Sequence, residues 1–228
     1  MSVQERRDRD REHRKQAILD AAERVYFSKG VDATMDDIAS AAEIAKGTLY
    51  LYFPSKDDLW LSLIVRALAS LEGRFRDAVD PADAPPVTIR RIGEAYVRYA
   101  QDHATMFRLL LDSAHIVAHS SASLVSLGEL ARASDSLWTV FTDTLQDGID
   151  RGIFRGDIGA FEMAIIFWSN TTGLLRQMGV ARGSETRRRE GAAYSFERLD
   201  FLRLVAVSNE LLLQSLLAKE QPPPAATP

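Results

Sequence analysis

From Lys46 to Lys56 the chain reads KGTLYLYFPSK, two lysines framing a glycine, a threonine and two tyrosines. Each type suits contact with a duplex. A lysine offers a point charge to phosphate or a donor to guanine, and a threonine offers a hydroxyl to base or phosphate and a methyl to thymine. A glycine removes side-chain bulk where a backbone must approach DNA. Catalytic chemistry is harder to assemble. The four histidines (His13, His103, His115, His119) fall outside the strongly periodic segments, and no Ser/His/Asp, Cys/His or paired-carboxylate set converges with them. His115 and His119 stand four residues apart with Asp112 one turn earlier, a spacing that suits zinc. However, Ile116 stands where a zinc protease needs glutamate, and the serine-rich stretch DSAHIVAHSSAS reads as a loop between helices. A surface or pocket-rim role suits these histidines better than a metal does. No catalytic residue, metal or cofactor is expected.

The elements that must position Lys46 and Tyr50 are helical. Ile18, Ala21, Ala22 and Val25 recur at i, i+3, i+4 and i+7, and Lys29-Gly30 supplies a basic last turn and a capping glycine. Thr34 followed by acidic residues reads as an N-cap opening a short helix to about residue 42. A second short helix runs from about 46 to 53, and Ser55 caps a long one reaching about 79. VDPADAPP at 79–86 is the one clear internal break; beyond it, helices are predicted at about 87–101, 103–112, 121–151, 158–178 and 196–219. Residues 179–193 (GVARGSETRRREGAA) read as a mobile loop, and the closing QPPPAATP as a disordered tail. With no β-alternation and no repeat, the fold is all-α.

Bulk properties narrow the setting. Of 228 residues, 46% are hydrophobic and 26% charged, as in ordinary globular proteins. No run approaches the roughly 20 apolar residues of a membrane span, and the N-terminus MSVQERRDRDREHRK is too charged for a secretion signal. Cysteine is absent, which excludes disulfides and thiolate metal sites. All this fits the cytoplasm. A net charge of −4 gives no support to a nucleic-acid partner, and residues 5–15 carry six basic against only four acidic residues. A claim on DNA must rest on motif geometry.

That geometry is present. Two short helices about three residues apart, framed by longer ones, make a helix-turn-helix, whose second helix enters the major groove. Here the second helix presents Lys46, Gly47, Thr48, Tyr50, Leu51 and Tyr52. Thr34 and Lys56, at the starts of the flanking helices, are placed for phosphate. Ile38, Ala39, Ala42, Ile44, Leu49 and Phe53 are spaced to form the small core beneath. Asp37-Ile38-Ala39, a turn, and then K-G-T-L-Y-x-Y-F-x-S-K-x-x-L from Lys46 to Leu59 give a specific string. Residues 11–71 resemble the DNA-binding domain of the tetracycline-repressor (TetR) family of bacterial regulators. Three positions depart from the family's habit. Glu43 stands where glycine is usual and costs on the order of 1 kcal/mol if the turn needs a left-handed backbone. Ala45 replaces a capping serine, roughly another 1 kcal/mol. Leu51, at a position often polar, offers a surface to a thymine methyl.

The resemblance implies an organisation: an N-terminal arm (1–10), a three-helix DNA-binding domain (11–71, helix-turn-helix about 34–53), and a long fourth helix leading into a helical ligand-binding and dimerisation domain (72–219), then the tail (220–228). It implies a homodimer through the last two helices. The last of them is apolar on most sides, with Phe201, Leu204, Val205, Ser208, Leu211, Leu212 and Ser215 as one stripe and Leu202, Ala206, Asn209, Leu213 and Leu216 as a second. It implies an effector held among the middle helices. Met106, Phe107, Leu110, Trp138, Phe141 and Phe167 are the apolar candidates, and Asn170 and Thr171 the polar ones to orient it. The expected partners are a palindromic duplex operator and an apolar or aromatic small molecule, with no membrane. The expected function is a repressor released from its operator by a small molecule. A regulator that activates or senses nothing remains open, as does an all-α enzyme or carrier.

Overall fold

The computed structural model describes residues 3–183 and 199–218. Among them stand nine α-helices, one 3-10 turn and no strand. They are α1 (Val3–Lys29), the turn Gly30–Asp32, α2 (Met35–Ala41), α3 (Lys46–Tyr52), α4 (Lys56–Ala78), α5 (Pro85–Asp102), α6 (Ala104–Ala118), α7 (Leu124–Asp150), α8 (Ala160–Gly183) and α9 (Phe201–Leu216). Gly30 sits at φ 62, the left-handed stop expected after Lys29.

Three predicted boundaries move. The arm is the first turns of α1, which is already helical at Val3. α6 continues to Ala118 and so takes in the first half of the stretch read as a loop, with the Ser113 hydroxyl turned back onto the Leu110 carbonyl at 2.7 Å, while residues 120–123 do connect α6 to α7. α8 continues to Gly183, so the first five residues of the predicted loop, 179–183, are helical; the rest of it, the start of the last helix near 196 and the tail at 220–228 lie outside the described residues.

The chain divides into two compact units, with the divisions falling inside α4, α5 and α7. The first comprises Met1–Glu72 and Tyr99–Leu137. Its core gathers Ile18, Ala22, Tyr26, Ile38, Leu49, Phe53, Leu59, Trp60 and Ile64, all buried, each large apolar side chain contributing about 1.5–3 kcal/mol. Tyr26 meets the edge of Trp60, donates its hydroxyl to Asp112 on α6 at 2.7 Å, and lies under the Arg108 guanidinium. Arg66 on α4 reaches Asp20 and Glu23 on α1, so α1 is held from two sides.

The second unit comprises Gly73–Arg98 and Trp138 onward. Ile89, Ile92, Phe141, Leu145, Phe154, Met163, Phe167, Val205 and Leu213 form its core. Arg90 grips Glu210 with two bonds of 2.7 and 3.0 Å, tying α5 to α9. Past α9, an antiparallel bridge pairs Phe154 with Leu217. The buried face of α9 runs Phe201, Val205, Leu213, Leu216 and so takes members of both predicted stripes, while Leu211 and Leu202 turn outward. On a helix apolar all round, spacing does not say which side is in.

Candidate nucleic-acid interface

The site begins with two helix caps and a turn. Thr34 accepts the Asp37 N–H through Oγ1 at 3.2 Å, and the Asp37 carboxylate accepts from the Thr34 N–H at 2.9 Å, a reciprocal capping box. The Thr34 hydroxyl and the Asp37 N–H are thus engaged within the protein. Lys29 lies 2.6 Å from Asp37 and, with the two Thr34 bonds, holds that carboxyl well down, at about 2.

α2 closes in a Schellman motif: Ile44 N–H donates to the Ala39 carbonyl at 3.0 Å and Glu43 N–H to the Ser40 carbonyl at 3.1 Å. This motif requires a left-handed residue, and Glu43 adopts it at φ 55, the one non-glycine among the described residues to do so. The strain inferred from the sequence is therefore present, about 1 kcal/mol. Ala45 caps α3 with no side-chain bond, as its methyl dictates.

Leu49 and Phe53 anchor α3 to the core together with Ile38 and Ala39, while Ala42 and Ile44 are half-buried. The rest of α3 faces out. Tyr50 is 43% exposed and Leu51 75%, with Lys46 and Gly47 beside them; Thr48 and Tyr52 are half-exposed. Lys46 reaches Asp36 at 2.9 Å, and this carboxylate raises the ammonium's affinity for its proton. Asp36 and Asp37, which would repel phosphate, are thus each matched by a lysine. Lys56 donates to the Val31 carbonyl at 3.1 Å, so it braces the 3-10 turn as well as flanking the surface.

A Cβ placed at Gly47 meets nothing within 4 Å, as at the helical glycines Gly73 and Gly173, but Gly47 alone of the three lies on the exposed face of α3. The protein's own packing therefore gives no reason for glycine inside a helix, where alanine is better by about 1 kcal/mol. An approaching backbone or phosphate gives one. Gly47→Ala is expected to keep or raise the thermal midpoint yet weaken duplex binding about tenfold, some 1.4 kcal/mol. Unchanged affinity in a titration would show that nothing approaches at this point.

The expected effector residues divide. Met106 and Phe107 are buried and Leu110 half-buried in the first unit. In the second, Phe141 and Phe167 pack edge to face at 6.1 Å, and Trp138 meets the exposed Phe161 and Trp168 at 5.6 and 5.8 Å. Asn170 and Thr171 do not point free polar groups at a cavity. Asn209 Oδ1 accepts from both, at 3.3 and 2.8 Å, and the Ser208 hydroxyl donates to Asn170 Oδ1. They join α8 to α9, a pairing invisible to spacing within either helix. His115 and His119 stack at 4.3 Å with Asp112 turned away to Tyr26, and no metal-holding group of three is present among the described residues. Among the described residues no helix is long and apolar enough to cross a membrane.

Sequence reasoning missed the serine-carboxylate cluster at the start of α4. Asp58 accepts from the Ser55 and Ser126 hydroxyls and the Ser123 N–H, and Asp57 accepts from Ser121. Ser55 is the local cap, but Ser121, Ser123 and Ser126 lie more than 60 residues from these carboxylates, and a single sequence holds no signal for them.

Comparison with known proteins agrees with this geometry. Residues 18–63 match the family described as bacterial regulatory proteins, tetR family. The transcriptional repressor KstR2 of Mycobacterium tuberculosis is 28% identical over 146 residues, 64% of this chain and 71% of its own length. The transcriptional regulator EthR of Mycolicibacterium smegmatis is 37% identical over 98 residues, 42% and 45% of the two chains. In fold, the chain is similar to the regulator FadR from Bacillus subtilis, solved in complex with stearoyl-CoA, with a TM-score of 0.65 at 18% identity over 88% of this chain and 98% of that one.

Proposed function

We propose that this chain, whose residues 18–63 match the tetR family of bacterial regulatory proteins, is a homodimeric repressor that holds a palindromic operator through α3 and lets go when a small apolar molecule binds. The observation that carries the DNA contact is the outer face of α3. Lys46, Gly47, Thr48, Tyr50 and Leu51 are displayed on a helix whose other face is locked by Leu49 and Phe53. Tyr52, Thr34 and Lys56 flank it. Two copies about 34–36 Å apart read one turn of duplex, which is why a dimer is needed for useful specificity. Such a protein works in the cytoplasm, where the DNA is.

The effector reading rests on the second unit's aromatic side chains, Trp138, Phe141 and Phe167, and on the name of the structural relative that was solved with an acyl-CoA. An effector acts by preferring one dimer geometry, and the release it causes is limited by that preference.

The test is binding of the full chain to duplex from around its own gene against random duplex, at two salt concentrations, because nonspecific binding is lost steeply with salt. The wild type should keep its preferred duplex at the higher salt. Tyr50→Ala should lose it by at least about tenfold to a hundredfold, with unchanged helicity. Equal, salt-fragile binding of both duplexes by the wild type would sink the reading.

A further inference from the structure

The first turns of α1 do something the rest of the helix does not: they cover nothing. Residues 4–14 are all exposed. Along this stretch the charges are sorted. Arg7, Arg11, Arg14 and Lys15 fall at i, i+4, i+7 and i+8, one face of a helix, whereas Glu5, Asp8 and Glu12 share a different one and Asp10 borders the basic face on its other flank. Gln4 and Gln16 donate to Asp8 and Glu12, at 3.1 and 2.8 Å. Among the described residues no ion pair engages Arg7, Arg11 or Arg14.

The basic face has a direction. Arg7, Arg11 and Arg14 continue, with the same helical spacing, the line of Ile18, Ala22 and Val25, which are buried in the domain. Followed backwards, α1 touches Asp37 through Lys29, the Ala41 carbonyl through Arg24, and the Phe53 ring through Lys15, whose Nζ lies 5.9 Å from the ring centroid. Phe53 is the C-cap of α3. The stripe therefore leaves the domain at the end of the recognition helix and on the side of the helix-turn-helix. From Lys15 to Arg7 it spans about 12 Å of helix, the length of three to four base pairs at about 3.4 Å each.

We infer that this helical arm is a second DNA-contacting element, in which Arg7, Arg11 and Arg14 hold the phosphates of one strand beside the groove that α3 enters. The inference rests on the DNA-binding reading above. Its occupant is a phosphate backbone, because the face is lined by Arg7, Arg11, Arg14 and Lys15, has an acid only at its edge (Asp10), and carries no apolar residue for a protein or lipid surface to cover. The acidic face and Asp10 together keep the arm's net charge at two positive, so orientation, more than charge, decides what it holds.

Two variants of the full chain test it against the preferred duplex and a random one. Arg7→Gln/Arg11→Gln/Arg14→Gln removes the stripe. Arg7→Asp/Asp8→Arg/Arg11→Glu/Glu12→Arg keeps composition and net charge but moves charge off it. Both should bind both duplexes about tenfold more weakly or worse at ~0.1 M salt, with the slope of log affinity against log salt shallower by about two to three per protomer. Their thermal midpoints should match the wild type. A permuted variant that binds like the wild type would overturn the inference, as would loss confined to the preferred duplex, which is the sign of base reading. A wild type with no preferred duplex brings down the underlying regulator; a wild type with one and variants that keep its affinity bring down the arm alone.

Discussion

Leu211→Glu should convert the protein from dimer to monomer at micromolar concentration while leaving its helix content unchanged. Leu211 is 67% exposed in the protomer, on a flank of α9 shared with the exposed Val207, and α8 adds exposed Phe161, Ile166 and Trp168. Exposed large apolar side chains on two neighbouring helices favour a cover, which the two-fold interface of the proposed dimer would supply with the same patch. A carboxylate at that place is buried unpaired twice over, once per protomer. At about 3 kcal/mol each, the dimer loses on the order of 6 kcal/mol, some ten-thousandfold in dissociation constant. Sedimentation velocity reads the result directly. A variant that remains dimeric moves the interface off this flank, and one that unfolds contradicts the exposure of Leu211. Leu212, equally apolar in sequence, is half-buried against its own protomer, so the same change there would confuse folding with assembly.

The contrast between Leu211 and Leu212 shows where sequence stops. Within α2 and α3, capping and spacing are local: Thr34, Ala45, Leu49 and Phe53 take the conformations their types and neighbours require, and Glu43 takes the left-handed one that its place in the turn imposes against its type. Helix propensities and caps act over four residues, so they are legible. The pairing of Asn170 and Thr171 with Asn209, or of Tyr26 with Asp112, joins residues 38 to 86 positions apart. One chain carries no record of such pairs, and polar groups that look free for a ligand are already spoken for. The arm was legible in composition but not in order, because charges that nearly cancel in a count separate into faces only once the segment is known to be helical.

Asp58→Ala is expected to lower stability at neutral pH by about 2–3 kcal/mol, a fall of roughly 5–10 °C in thermal midpoint for a chain of this size. Asp58 is 4% exposed in the first turn of α4, just past the recognition helix. Its carboxylate gathers the Ser123 N–H and Ser126 hydroxyl from the α6–α7 connection and the Ser55 hydroxyl from its own cap, at 2.7 to 2.9 Å. Burial alone would push its pKa up. The Ser123 N–H and the serine hydroxyls outweigh that and hold it at about 2. Because the folded value lies below the unfolded value of about 3.9, the contribution is complete above about pH 4 and disappears as pH falls toward 2. Urea unfolding of wild type and variant should therefore show a gap of about 2–3 kcal/mol at pH 7 that narrows between about pH 4 and 2. A gap that stays constant across that window would mean the carboxylate's charge is not what the serines hold. The mutation also frees the α6–α7 connection from the end of α4 that follows α3, so the Ser123 amide should exchange its hydrogen faster in the variant. If stability falls and that amide stays protected, Asp58 braces α4 alone. If both change together, this buried carboxylate is the tie through which the α6–α7 connection and the base of the recognition helix hold one another in place.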